Sequence, residues 1–370
     1  MAKDEQSRKA NPYIGLGSEA FWRSAIGDKN MFSISDLWEP KCAPTPEQSV
    51  STYGSCFAQH IGRSLRDRGY QWLVTETAPD DMDETEATRF NYGIFSSRTG
   101  NIYTASLFKQ WISWANGTSA PPSEIWEKDG RYFDPFRPVI EPNGFESAEE
   151  VTALRAHTIK KFNDSITQAD FYVFTMGLTE SWFNKAGYEY PMCPGTVAGE
   201  FDPDAHVFKN QNYDFILENM NAALDAAKAI NPRLKFILTV SPVPLTATMS
   251  GKHVLVATMH SKSILRAVAG ELAKERADTD YFPSYEIINS APFGGVFFEA
   301  NKRSVHPAGV QFVMDTFFRG INSLGAAQVS SPAGKVSTPA PGPAPKERVF
   351  AEMDQGCEEA MLDVYARGKK

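Results

Sequence analysis

Positive charge is in short supply in this chain. Across 370 residues, 37 Lys and Arg stand against 45 Asp and Glu, a net charge of −8. That balance argues against sequence-independent binding to nucleic acid or to anionic membranes. Cysteine is scarce too. Cys42, Cys56, Cys193 and Cys357 are far apart, with no C-x-x-C pair. Neither a disulfide framework nor a zinc site is indicated. The polar start Met1-Ala2-Lys3-Asp4-Glu5 has no apolar leader region, and no apolar run is long enough to span a bilayer. The cytoplasm is therefore the expected location, where a thiol stays reduced. The acidic run Asp80-Asp81-Met82-Asp83-Glu84 lacks the spaced ligands and glycine turn of a calcium loop, so it reads as a solvated face. No cofactor and no metal is called for.

What the chain has is apolar bulk: 42% hydrophobic and 12% aromatic residues, ample for a large buried core. Phe171-Tyr172-Val173-Phe174-Thr175-Met176 and Phe236-Ile237-Leu238-Thr239-Val240 are nearly continuous apolar runs, the pattern of strands buried on both faces. Val50-Ser51-Thr52-Tyr53 reads as a further strand, and Tyr281-Phe282 as a short one, with Glu286-Ile287-Ile288 continuing the core. Helical spacing is expected over 104–116, 146–167, 213–230 and 254–276, and again after His306-Pro307. Strand and helix alternate from 50 to 322. This predicts an α/β fold, a three-layer α/β/α sandwich with a mostly parallel central sheet.

The expected divisions are an arm over 1–45, a catalytic domain over 46–325, a Pro/Ala-rich linker over 326–346 and an amphipathic helix over 347–370. In the arm, Tyr13, Phe21 and Trp22 read as aromatic anchors. Residues 120–145 read as a Pro- and aromatic-rich insertion, and 184–212 as a long irregular loop of the kind that carries function. In the terminal helix Phe350, Met353, Cys357, Met361 and Val364 share one face, which either docks back or binds a protein partner.

The chemistry is expected at Gly54-Ser55-Cys56-Phe57-Ala58. A strand that ends in glycine and turns at once into a helix exposes a side chain at the carboxyl edge of a sheet. The helix start supplies N–H groups and partial positive charge, which favour a thiolate and an oxyanion. Cys56 is then a nucleophile; the plainer alternative makes it a small buried hydrophobe with Ser55 as helix cap.

This run, with Gly177-Leu178-Thr179-Glu180, Ser241-Pro242-Val243, Tyr281-Phe282-Pro283-Ser284-Tyr285-Glu286 and Ser304-Val305-His306-Pro307, resembles the GSCFA-domain family of the SGNH (GDSL-like) hydrolase superfamily. The resemblance covers about residues 45–325. It implies an SGNH hydrolase-like fold and acyl transfer on ester bonds. Cys56 takes the place of the superfamily's serine, Ser55 that of the neighbouring aspartate, and His306 that of the general base. Arg303 stands where an orienting aspartate is usual, so Asn301, Glu299, Glu286 and Glu180 are the alternatives for that role. The oxyanion site implied comprises the Cys56 N–H, a loop glycine (Gly93 or Gly100) and Thr179 beside Gly177. His60, four residues after Cys56, is a rival base.

The resulting expectation is a hydrolase or acyltransferase using a Cys–His acyl-enzyme. Its substrate is a small-molecule or carbohydrate ester, with water or a sugar hydroxyl as acceptor. Two alternatives remain: a catalytically silent binding module in a polysaccharide biosynthesis complex, and a CoA-dependent O-acetyltransferase. The second lacks a phosphate-cradling glycine-rich loop.

Overall fold

The computed structural model describes residues 11–329 and 361–366. The expected linker lies outside the described residues from 330 onward, as do Phe350, Met353 and Cys357 of the expected terminal helix.

In chain order the elements are β1 Ser49–Gly54, α1 Ala58–Asp67, β2 Gln71–Trp72, α2 Glu84–Arg89, α3 Ala105–Ala115, β3 Trp126–Lys128, β4 Arg131–Phe133 and α4 Ala148–Gln168. There follow β5 Phe171–Met176, β6 Glu180–Asn184, β7 Glu189–Tyr190, β8 His206–Asn210, α5 Tyr213–Ile230 and β9 Lys235–Val240. The chain continues through α6 Val254–Glu275, β10 Thr279–Phe282, α7 Ser284–Asn289, α8 Pro307–Val329 and the single turn α9 Asp363–Ala366.

Five strands form a parallel sheet in the order β10-β9-β5-β1-β2. β1 pairs with β5 from Val50 opposite Phe171 to Gly54 opposite Thr175. Because β2 and β5 leave β1 on opposite sides, the strand order reverses between β1 and β5. A crevice opens at such a reversal, outside the carboxyl ends of the strands.

The pleat divides each strand between two cores. Phe171 and Val173 face a core with Phe57, Ile61 and Leu65 of α1 and its cap, Ile287 of α7 and Phe317 of α8. Tyr172 and Phe174 face the opposite core with Phe108 and Trp111 of α3, Phe162 of α4, Leu224 of α5 and Leu265 of α6. This is the predicted three-layer sandwich. Local signals set the helix starts as read: Ser147 Oγ accepts from Glu150 N at 3.1 Å, and Asn212 Oδ1 from Phe215 N at 3.0 Å.

Three segments differ from expectation. Residues 184–212 are not irregular: β7 and β8 flank β6 in an antiparallel sheet. Glu286-Ile287-Ile288 lies in α7, where Ile287 and Ile288 continue the core as expected. α8 runs to Val329, beyond the expected domain boundary. In the arm, Tyr13 and Trp22 are 67% and 70% exposed; Ile34 and Trp38 are the buried anchors instead. Trp38 stacks on Phe317 at 5.3 Å and meets Phe282 edge-on at 5.0 Å.

Candidate active site

β1 ends at Gly54 with φ +127°, a backbone that L side chains rarely adopt. A Cβ there would lie 2.3 Å from the carbonyl oxygen of Thr175 on β5. Glycine is therefore required by both conformation and contact. The chain then crosses the end of β5, with Ser55 N–H donating to Thr175 O at 3.0 Å, and closes a turn in which Ala58 N–H donates to Ser55 O at 2.8 Å. Cys56 stands in that turn, 5% exposed, just before α1.

The exit of β5 packs against the same turn. At Gly177 a Cβ would sit 3.0 Å from Ser55 Cβ and 3.1 Å from Tyr103 Cδ1. Gly177 and Leu178 both donate their N–H to Tyr103 O, at 2.9 and 3.1 Å. Tyr103 belongs to a segment that lies along the top of β1, where Ile102 N–H donates to Gly54 O at 2.9 Å. Gly100, buried with φ +68°, lies two residues before Ile102 in that segment. Gly93 instead follows the end of α2 with φ +64° and open space where a side chain would project, a turn glycine.

Thr179 is fully buried. Its hydroxyl donates to Asn210 Oδ1 at 2.7 Å, and its N–H donates to Ser261 Oγ at 3.1 Å. The oxyanion role expected of that hydroxyl conflicts with this bond, because its one proton is already directed at Asn210. Ser55 is 2% exposed, and its Oγ makes no hydrogen bond with a described residue.

His306 stands just before α8, in a loop tied to the segment after β9. Val305 and Phe57, its counterpart beside Cys56, share one apolar core, and α8 packs on α1. The two residues thus precede the starts of neighbouring helices. Phe297 O accepts from His306 N–H at 2.7 Å, and Arg303 Nε donates to Pro244 O at 3.1 Å, tying this loop to the exit of β9. The imidazole is exposed, and its Nδ1 accepts from Ala308 N–H at 3.1 Å. It caps α8.

None of the four alternatives for orienting His306 is hydrogen-bonded to it among the described residues. Asn301 accepts from Arg303 N and Ser304 N within its own loop. Glu286 pairs with Arg266 and Tyr281, and Glu180 holds Thr248 and Met249 N. Glu299 is exposed. His60 is driven to a pKa of about 3, first by burial and then by Arg63, so its ring stays neutral and holds no charge for a thiolate. Among the described residues no group of three His, Cys, Asp or Glu is placed to hold a metal ion. No helix among them is long and apolar enough to cross a membrane.

The pattern of the GSCFA family matches residues 49–317, from β1 into the first half of α8. The chain belongs to the GSCFA family. No curated protein matches this GSCFA chain in sequence. Among solved structures it is similar to a carbohydrate esterase of family 3 from Talaromyces cellulolyticus, at 12% identity and a TM-score of 0.35, over 77% of this chain and 100% of that one. A mutant acetyl esterase with acetate ion matches at the same values, again over 77% of this chain and 100% of its own. Likeness at this level transfers neither fold nor chemistry.

One buried residue beside the candidate site escaped the sequence reading. Lys262 on α6 is 1% exposed, and its Nζ donates to Gly177 O at 2.7 Å. The signal was present: Lys262 is in phase with Leu265, Ala269 and Leu272, so a lysine occupies the buried face of the helix.

Proposed function

We propose that this GSCFA protein is an acyl-transfer enzyme acting on esters, with Cys56 as nucleophile and His306 as proton carrier. The observation that carries this reading is the place of Cys56, in the tight turn after β1, at the strand-order reversal, with the β5 exit packed against it. Kinship with SGNH hydrolases, suggested by the sequence blocks, agrees with it.

In the first step Cys56 Sγ forms a bond to the acyl carbon, and its proton goes to the imidazole. The carbon–oxygen bond to the alcohol then breaks, and the alkoxide leaves with the proton from His306. Water or an acceptor hydroxyl attacks the thioester, returns its proton through His306 and frees the thiol. The N–H of Cys56 and that of Gly100 are the donors assigned to the oxyanion, in place of Thr179.

His306 has one task to complete first. While Nδ1 accepts from Ala308 N–H, a neutral ring carries its proton on Nε2. To take the thiol proton on Nε2, the ring must exchange that cap for an Nδ1 proton. Substrate that engages the Arg303–His306 loop would favour the exchange.

The test is intact-protein mass spectrometry after exposure to p-nitrophenyl acetate. Wild type is expected to gain one acetyl group, and Cys56→Ala none. An adduct that persists in Cys56→Ala would overturn the assignment. No adduct on a normally folded wild type would favour the silent binding module.

A further inference from the structure

A cavity of about 630 Å³ opens beside the exit of β5. Resting on the acyl-transfer reading, we propose that it is the acyl pocket of this site and takes an apolar acyl group longer than butyryl.

Its position connects it to both halves of the site. Leu178, which lines it, follows Gly177, the residue packed on Ser55. Leu245, on another wall, follows Pro244, whose carbonyl holds Arg303 in the loop of His306. An ester carbonyl at Cys56 would therefore direct its acyl chain along Leu178 into the cavity.

The lining fixes the chemistry. Trp182, Met192 and Phe201 supply apolar surface. Glu180 and Ser181 of the wall are already engaged by the protein. Glu180 accepts from Thr248 Oγ1 and from Met249 N. Ser181 Oγ donates to Lys209 O at 2.9 Å and accepts from Gln211 Nε2 at 3.0 Å. A sugar would leave its hydroxyls poorly matched here, whereas an alkyl chain needs no partners. An acetyl group would leave most of the space unfilled. Leu362 and Tyr365 close one side, with Tyr365 Oη donating to Gly195 O at 3.3 Å.

The experiment compares kcat/KM for p-nitrophenyl acetate, butyrate and octanoate on the full chain. Octanoate is expected to exceed acetate by about tenfold or more, since each well-buried methylene adds discrimination. Ala247→Trp and Thr196→Trp, both on the cavity wall, should remove that preference. A preference for acetate, or an equal fall for all three esters in both folded variants, would overturn the proposal. Calorimetric binding of octanoate to Cys56→Ala separates the two readings. Binding without turnover by wild type keeps the pocket and removes the enzyme; turnover without chain-length dependence or octanoate binding keeps the enzyme and removes the pocket.

Discussion

Glu189 is an acid placed where water does not reach. Thr104 and Ser106 donate hydroxyls to its carboxyl, yet burial prevails and its pKa rises from 4.5 to about 7. Between those values the folded protein holds a proton that the unfolded chain has released. Stability therefore falls as pH rises from 4.5 through about 7. Glu189→Gln should flatten this part of a Tm-against-pH curve. His60 acts in the opposite direction: below its ordinary 6.5 and down to about 3, the unfolded chain holds the extra proton, so acid weakens the fold. At the candidate site, His306→Ala is expected to slow acyl transfer by about 10²–10⁴ if the ring carries the proton. An unchanged rate of adduct formation would remove it from that role. The turn that holds Cys56 was legible because a glycine between strand and helix is a local pattern. The fate of the Thr179 hydroxyl was not, because its partner Asn210 lies 31 positions away and is brought there by the β6–β8 pairing.

Between the site and the whole fold stand the strand exits. Gly177 keeps the β5 exit close to the turn after β1, so Gly177→Ala would press a methyl against Ser55 and Tyr103. The expected outcome is a loss of Cys56 acylation that exceeds the loss of Tm, read by mass spectrometry and thermal melting on one sample. Equal retention of acylation would show that this approach does not set the site. Helix boundaries were legible because caps are local: Ser147 and Asn212 lie where the side-chain types place them. The β6–β8 sheet was hidden because β7 is only two residues long and the region of β8 was read as an irregular loop. Short antiparallel pairings of that kind depend on distant partners more than on their own alternation.

Across the molecule, a buried charge network holds the 120–145 insertion to α4. Asp134, with no exposed surface, accepts from Arg137 Nε at 2.8 Å and from Arg155 Nε at 3.1 Å. Arg137 continues to Thr158, whose hydroxyl reaches Glu76 at 3.0 Å. Removing one member strands two guanidinium groups, so Asp134→Ala should cost about 3–5 kcal/mol in denaturant unfolding. A change below about 1 kcal/mol would refute that role, being no more than an exposed pair gives. The sandwich itself was legible in the runs of β5 and β9. The arm was not, because nothing local distinguishes Trp38 from Trp22. What separates them is a niche formed by β10 and α8, with Lys41 donating to the carbonyls of Ala273, Arg276 and Thr279 nearby. Those are among the last parts of the domain to leave the ribosome, while the arm is the first. The opening residues must therefore wait, unseated, until the rest of the domain has emerged, and the final act of folding belongs to the segment made earliest.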